Sequence, residues 1–339
     1  MKQETKEYFF LHVARLFGCL GVIALHSVGL SQPLLSDTSS WWTKTIVDAL
    51  SIWAVPLFVM ISGSLLLNSK IHESAQGFYK KRLSRIGIPA LFWIPFYFLV
   101  YHFYRGDSLD ILYLAKRILY SSVDHLYFLI LIFQLYLLTP LFRRIIQKMN
   151  DKHFFGLILF FSYLCIFWKR SSFVGVMFVP FIHYYFLGGY LLKKKVAKQF
   201  IPYLGALFIF TTAVLVFATY YLTLQNPGYA SNMFLYSPSH PLILVVTVLI
   251  FLLIQNSQVS VFFTKHFSIQ RLRKWSHATF GIYILHPLIL YMTVTVMKLL
   301  GQPTPFSWYI TLMLIPFVSI CSYLLTQCIQ SNRLLKRLL

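Results

Sequence analysis

Negative charge is what this 339-residue chain has least of: Asp and Glu number 9 against 30 Lys and Arg, and all four types together make up 12% of it. Soluble proteins of this size carry roughly a quarter of their residues charged, so the surface that a soluble enzyme needs is missing. Cysteine is scarce as well. Cys19, Cys165, Cys321 and Cys328 all lie in apolar runs without CxxC or Cys/His spacing, which excludes a disulfide scaffold or a cysteine metal site and reads as buried structural thiols. What is plentiful is apolar (58%) and aromatic (18%). These residues come in runs of roughly 20, the length that crosses a bilayer core as a helix. The chain reads as an all-α polytopic membrane protein, and a disordered chain is excluded with the soluble classes.

A net charge of +21 would suit nucleic acid if the cations formed one face, but they fall in short clusters between apolar runs. Ten spans are expected, near 8–30, 46–68, 86–104, 125–142, 154–169, 173–192, 200–224, 240–257, 277–297 and 306–328, within one membrane domain over 1–339. The tails and even-numbered loops hold 22 of the 30 Lys and Arg, the odd-numbered loops hold 7, and Arg15 lies inside a span. That alternation puts both termini in the cytoplasm. The first run is too long for a signal peptide, holds Arg15 and His26 and lacks a small-residue cleavage site, so a retained helix is expected. No internal repeat emerges. Outside, residues 108–120 (SLDILYLAKRILY) suggest an interfacial helix. Residues 225–241 suggest a loop lining a cavity.

Ionisable groups inside spans are costly in hydrocarbon and so mark function or a satisfied interior pair. Arg15 and His26 in RLFGCLGVIALH are eleven residues apart, about 20° past three whole turns, so both lie on one helix face about 16 Å apart along the axis. His12 falls close to the same face. A guanidinium there can hold an anionic or carbonyl-bearing donor, and an imidazole at the outer end can take a proton from a hydroxyl. The alternative is structural, with Arg15 on a backbone carbonyl and His26 in an interhelical hydrogen bond.

Arg15, ten residues and His26 resemble the first-helix signature of the acyltransferase-3 family of membrane acyltransferases. Other segments are similar to that family's in the same order. They are VPLFVMISGSLLL (55–67), FYKKRLSRIGIPALFW (78–93), HLYFLILIFQLYLLTPL (125–141), YYFLGGYLL (184–192) and FGIYILHPLIL (280–290). Tyr127 stands where the family often has Trp. The resemblance covers nearly the whole chain and implies transfer of an acyl group, most often acetyl, from cytoplasmic acyl-CoA. The implied acceptor is a hydroxyl of an extracytoplasmic cell-surface glycan or its lipid-linked precursor. The stand-alone ten-helix branch is the nearest likeness, which implies a bacterial plasma or inner membrane and leaves open direct transfer or hand-off to glycan synthesis or export proteins. No metal and no resident cofactor are expected; acetyl-CoA enters as donor substrate.

On this reading His26 and Arg15 carry the chemistry, and Lys81, Arg82 and Arg85 would grip the phosphates of CoA, although a positive-inside anchor explains them equally. Ser62, with Gly63, would let a pantetheine arm or a neighbouring helix approach. Asp48 is placed to orient His26. His125 would position the acceptor or cap its helix, and His286, before Pro287, would line the interior or make a structural hydrogen bond. Ser27 stands beside His26 as a conceivable nucleophile. The rival class is a polysaccharide or lipid-linked-sugar exporter that makes no bond; the lack of paired broken repeats weighs against it.

Overall fold

A computed structural model describes residues 9–29, 37–68, 74–119, 124–167, 176–225, 235–256, 258–301 and 307–339. Among them the chain is helical throughout, with no strand. Seven helices are long and apolar enough to cross a membrane: Phe9–Gly29, Thr38–Leu67, Ala75–Arg105, Asp124–Gln147, Lys198–Gln225, Ile269–Leu299 and Trp308–Ser331. The fifth, sixth and eighth expected spans correspond to shorter helices, Asp151–Phe167, Ile182–Leu191 (with a 3-10 turn before it) and Pro241–Asn256. The chain is a multi-pass membrane protein.

The helix ends depart from the hydropathy reading for identifiable reasons. After α1 (Phe9–Gly29), α2 (Thr38–Ser51) starts well before the expected residue 46 because the Asp37 side chain accepts from Ser40 N–H and caps it. It stops at Ile52–Trp53, and α3 (Ala54–Leu67) continues the span. Pro56 has no N–H to return to Ile52, which places the break one turn before it. Helix α4 (Ala75–Arg105) runs from a Ser74 cap to Gly106, whose φ of 75° ends it. At 31 residues it is about 46 Å long, more than hydrocarbon requires, so Lys80 to Arg85, expected in a loop, lie on helical turns that overhang the apolar segment. The interfacial helix is α5 (Ile111–Leu119), with Ile111 and Leu112 exposed and Asp110 capping its first amides. Of the expected cavity-lining loop, residues 226–234 lie outside the described residues.

The chain divides into two compact units. The first comprises residues 1–61 and 193–326. Here α1 is the central element. It packs on α2, on α10 (Pro241–Asn256), on α11 (Gln258–His266) and on α12 (Ile269–Leu299). Cys19 and Ile23 of α1 share a core with Ala278, Ile282, Leu290 and Val294 of α12 and with Leu314 and Val318 of α13 (Trp308–Ser331). Helix α9 (Ile201–Gln225) closes on α2 and α10. His12 beside His277, Cys19 Sγ on the Thr279 carbonyl and His26 beside His286 give α1 and α12 the same direction. The ten-span arithmetic asks the same of spans one and nine.

The second unit comprises residues 62–192 and 327–339. Helix α4 packs on α6 (Tyr127–Gln147) and on the C-terminal turn Leu335–Leu338, where Trp93 Nε1–H donates to the Leu338 carbonyl at 2.7 Å. Helix α7 (Asp151–Phe167) packs on α8 (Ile182–Leu191). The α3–α8 crossing is so close that a Cβ on Gly63 would come within 1.9 Å of the Tyr185 carbonyl oxygen. Ser64 Oγ–H donates to Gly188 O and Asn68 Nδ2–H to Gly189 O, each at 2.8 Å. The small residues of the Ser-Gly segment thus serve helix packing. Two thiols depart from expectation: Cys19 and Cys165 are buried, but Cys321 is only half-buried and Cys328 is exposed, because both lie on the sparsely covered α13.

Gly63→Ala must push two backbones apart, and is expected to cost about 1–3 kcal/mol or more. Gly87→Ala, which meets nothing within 4 Å, should be neutral or slightly stabilising. Thermal denaturation of the detergent-solubilised variants measures both.

Candidate functional site

Helix α1 runs unbroken from Phe9 to Gly29, so the single face shared by Arg15 and His26 holds in the fold. Both side chains are half-buried. The imidazole of His26 lies against that of His286, ring centroids 5.0 Å apart and planes at 56°. His286 is fully buried (0% exposed). This pairing was not legible in the sequence, where His286 fell near mid-membrane with no assigned neighbour.

The His-Pro dipeptide explains how His286 is held. Within a helix the Tyr283 carbonyl would accept from the amide of residue 287, but Pro287 has no N–H. His286 Nδ1 fills the vacancy, 2.7 Å from Tyr283 O and 3.2 Å from Ile282 O. Carbonyls only accept, so Nδ1 carries the proton, and in the neutral ring Nε2 keeps the lone pair. The proline that opens the backbone therefore fixes the tautomer beside His26.

The other first-unit candidate, Asp48, has Lys44 as its described partner, one turn back on α2 at 2.5 Å. Ser27 is buried on α1.

The remaining candidates belong to the second unit. Ser62 is half-buried on α3, next to the Gly63 crossing. Lys81 and Arg85 are exposed on the first turns of α4, and Arg82 is half-buried. The Arg82 guanidinium sits 5.4 Å from the Phe78 ring centroid. Arg143 of α6, unremarked in the sequence among the other inner-loop cations, lies 4.8 Å from the same ring, is only 4% exposed and donates from Nε to the Leu66 carbonyl. Two guanidinium groups thus stack on one aromatic side chain, an arrangement fit to receive an anion. His125 is buried rather than an interfacial cap. It packs edge-on to Tyr97 at 4.6 Å, with Nδ1 3.4 Å from the Tyr101 hydroxyl. Its neighbour Asp124 adopts φ 45° and pairs with Arg105 and Arg117. Among the described residues no three His, Cys, Asp or Glu side chains gather to hold a metal ion.

Comparison with known proteins agrees with a membrane-bound architecture. The family described as an acyltransferase domain matches residues 8–326. A Bacillus subtilis (strain 168) protein designated a membrane-bound acyltransferase, YfiQ, is 29% identical over 156 residues, which is 44% of this chain and 42% of that protein. The match thus spans less than half the length of that relative. No solved structure matches the chain.

Pro287→Ala restores an amide to Tyr283 O and releases His286 Nδ1. Selective ¹⁵N-histidine spectra should report His286 protonated at Nδ1 in the wild type and a mixture of tautomers in the variant. A wild-type ring protonated at Nε2 alone contradicts the assignment.

Proposed function

The chain belongs to the acyltransferase-3 family of membrane acyltransferases, and from that premise we propose that it is an O-acetyltransferase. It moves acetyl from cytoplasmic acetyl-CoA to a hydroxyl of a cell-surface polysaccharide, or of its lipid-linked precursor, at the bacterial plasma (inner) membrane. The observation that carries this reading is the His26–His286 pair at 5.0 Å, on the helix that also holds Arg15.

In the reaction, His26 takes the proton of the acceptor hydroxyl as its oxygen attacks the thioester carbonyl. The C–O bond forms, the C–S bond breaks, and the departing CoA thiolate recovers the proton from the imidazolium. No covalent enzyme intermediate is required, and Ser27 is left out of the chemistry. The neighbouring His286 contributes a fixed neutral ring whose Nε2 can accept a hydrogen bond from the protonated base. Arg15 offers a permanent positive charge to the donor. In the second unit, Lys81, Arg82 and Arg85 are the cations offered to phosphate.

His26→Ala should lower transfer by about 10²–10⁴-fold, the range of a lost general base, with membrane insertion unchanged. The measurement is alkali-labile acetate in the envelope polysaccharide of a deletion strain, complemented at matched expression. Equal restoration by wild type and variant would remove His26 from the mechanism. Loss of surface glycan with unchanged acetate would install the exporter instead. In a purified assay, neutralising Arg82 and Arg85 together should raise the KM for acetyl-CoA about ten-fold or more with kcat little changed, as expected for lost charge-assisted hydrogen bonds.

A further inference from the structure

Trp53 carries a hydrogen-bond donor that the fold does not use. It sits in the break between α2 and α3, and its backbone carbonyl accepts from Leu57 N–H at 2.8 Å. The residue is 6% exposed, and its Nε1–H is buried with no hydrogen-bond partner among the described residues. Ser27 Oγ and Ser322 Oγ are in the same condition, but a serine hydroxyl rotates and can turn to a carbonyl of its own helix. An indole N–H is fixed in the ring plane and only donates. Tryptophans at a membrane surface aim that N–H at water, but Trp53 lies too deep for that. The far edge of its ring, Cη2, is 3.8 Å from where a Cβ on Gly21 would stand. Gly21 is twelve residues from the start of α1 and eight from its end, about 18 Å and 12 Å along the axis. The approach there is close, since that Cβ would come within 2.9 Å of Ala54 Cβ, and one turn nearer Arg15 the Phe58 ring packs on Gly18. Two rings, Phe58 and Trp53, thus lie along α1 between the levels of Arg15 and His26.

A buried donor left unmatched is costly, and where one persists it calls for an acceptor from outside the chain. At this depth the acceptor is a neutral one, because a single indole N–H cannot offset the desolvation of an anion. A carbonyl oxygen meets that requirement. From this geometry we infer that Trp53 Nε1–H donates to a carbonyl of the acyl-pantetheine arm, that of the amide nearest the thioester. The inference rests on the acyl-CoA reading above and adds to it a contact with a neutral group of the donor. The lengths agree. From Gly21 to His26 the rise along α1 is about 7.5 Å. From the thioester carbonyl carbon back to the amide carbonyl carbon there are about five bonds, each advancing about 1.25 Å when extended, or about 6 Å in all. A thioester at the His26–His286 pair therefore sets the amide at the level of the indole. The hydrogen bond fixes the height of the arm, so the thioester stops at the imidazole pair. No covalent bond forms or breaks at Trp53, which binds and positions the donor.

Full-length protein in lipid nanodiscs tests the contact by calorimetric titration with two probes. One is acetyl-CoA, and the other is adenosine 3′-phosphate 5′-diphosphate, which is the donor without its arm. Trp53→Phe keeps an aromatic ring and removes the N–H. It should weaken acetyl-CoA about three- to ten-fold, the loss of one neutral hydrogen bond, and leave the nucleotide unchanged. In wild type labelled with ¹⁵N-indole, one of the 7 tryptophan N–H resonances should move downfield with acetyl-CoA and stay in place with the nucleotide. That resonance is the one Trp53→Phe lacks, and if the variant fails to fold the wild-type shift carries the test. Acetyl-CoA that binds without moving an indole resonance overturns the contact. So does Trp53→Phe that binds acetyl-CoA as the wild type does, or that loses the nucleotide equally. Wild type that does not bind acetyl-CoA overturns the acyl-CoA reading, and the contact falls with it. The expected shift in a protein that transfers no acetyl group keeps the contact and overturns the acetyltransferase reading.

Discussion

Hydrocarbon supplies no hydrogen bonds, and most of what is distinctive here follows from how each polar group finds a partner without water. The buried threonines illustrate the ordinary solution. Thr139, Thr211, Thr219, Thr247 and Thr326 each donate to the carbonyl four residues back on their own helix. The same pressure acts where Pro287 strips Tyr283 of its amide partner, and there the group that answers is an imidazole. A structural debt in one helix thereby sets the protonation pattern of a ring in the proposed site. The Arg143 guanidinium meets the same demand with the Leu66 carbonyl and the Phe78 face.

Scarcity of carboxylate sharpens this pattern. No Asp or Glu follows Asp151 in the chain, and Asp107 and Asp124 are taken by Arg105 and Arg117 beside the interfacial helix. The cations of α12 have no acidic residue on their own helix.

Much of the fold was legible because apolar runs and the Lys/Arg alternation act over whole helices. The boundaries were less so. A cap such as Asp37 extends a helix into polar sequence, and the basic first turns of α4 and α12 look like loop to a hydropathy window although they are helical. Arg15 and His26 stood out because both are expensive in a span and share one face. His286 could be read as an interior polar group, but not as the neighbour of His26, since that contact joins helices whose packing no local pattern encodes. Arg143 was hidden among the other inner-loop cations, and only the fold separates it from them.

The partnership of α1 with α12 also has a consequence for biosynthesis. Its contacts join residues 260 or more positions apart. At roughly 5–20 residues per second, the ribosome needs about 13–50 s between delivering the first helix and delivering its partner. Through that interval Arg15, His12 and His26 sit in the nascent chain without the surface that later shelters them. The first helix must therefore be retained by the insertion machinery or by provisional neighbours, and a chain that stops short of α12 leaves those polar groups exposed to lipid, where membrane quality control can recognise them.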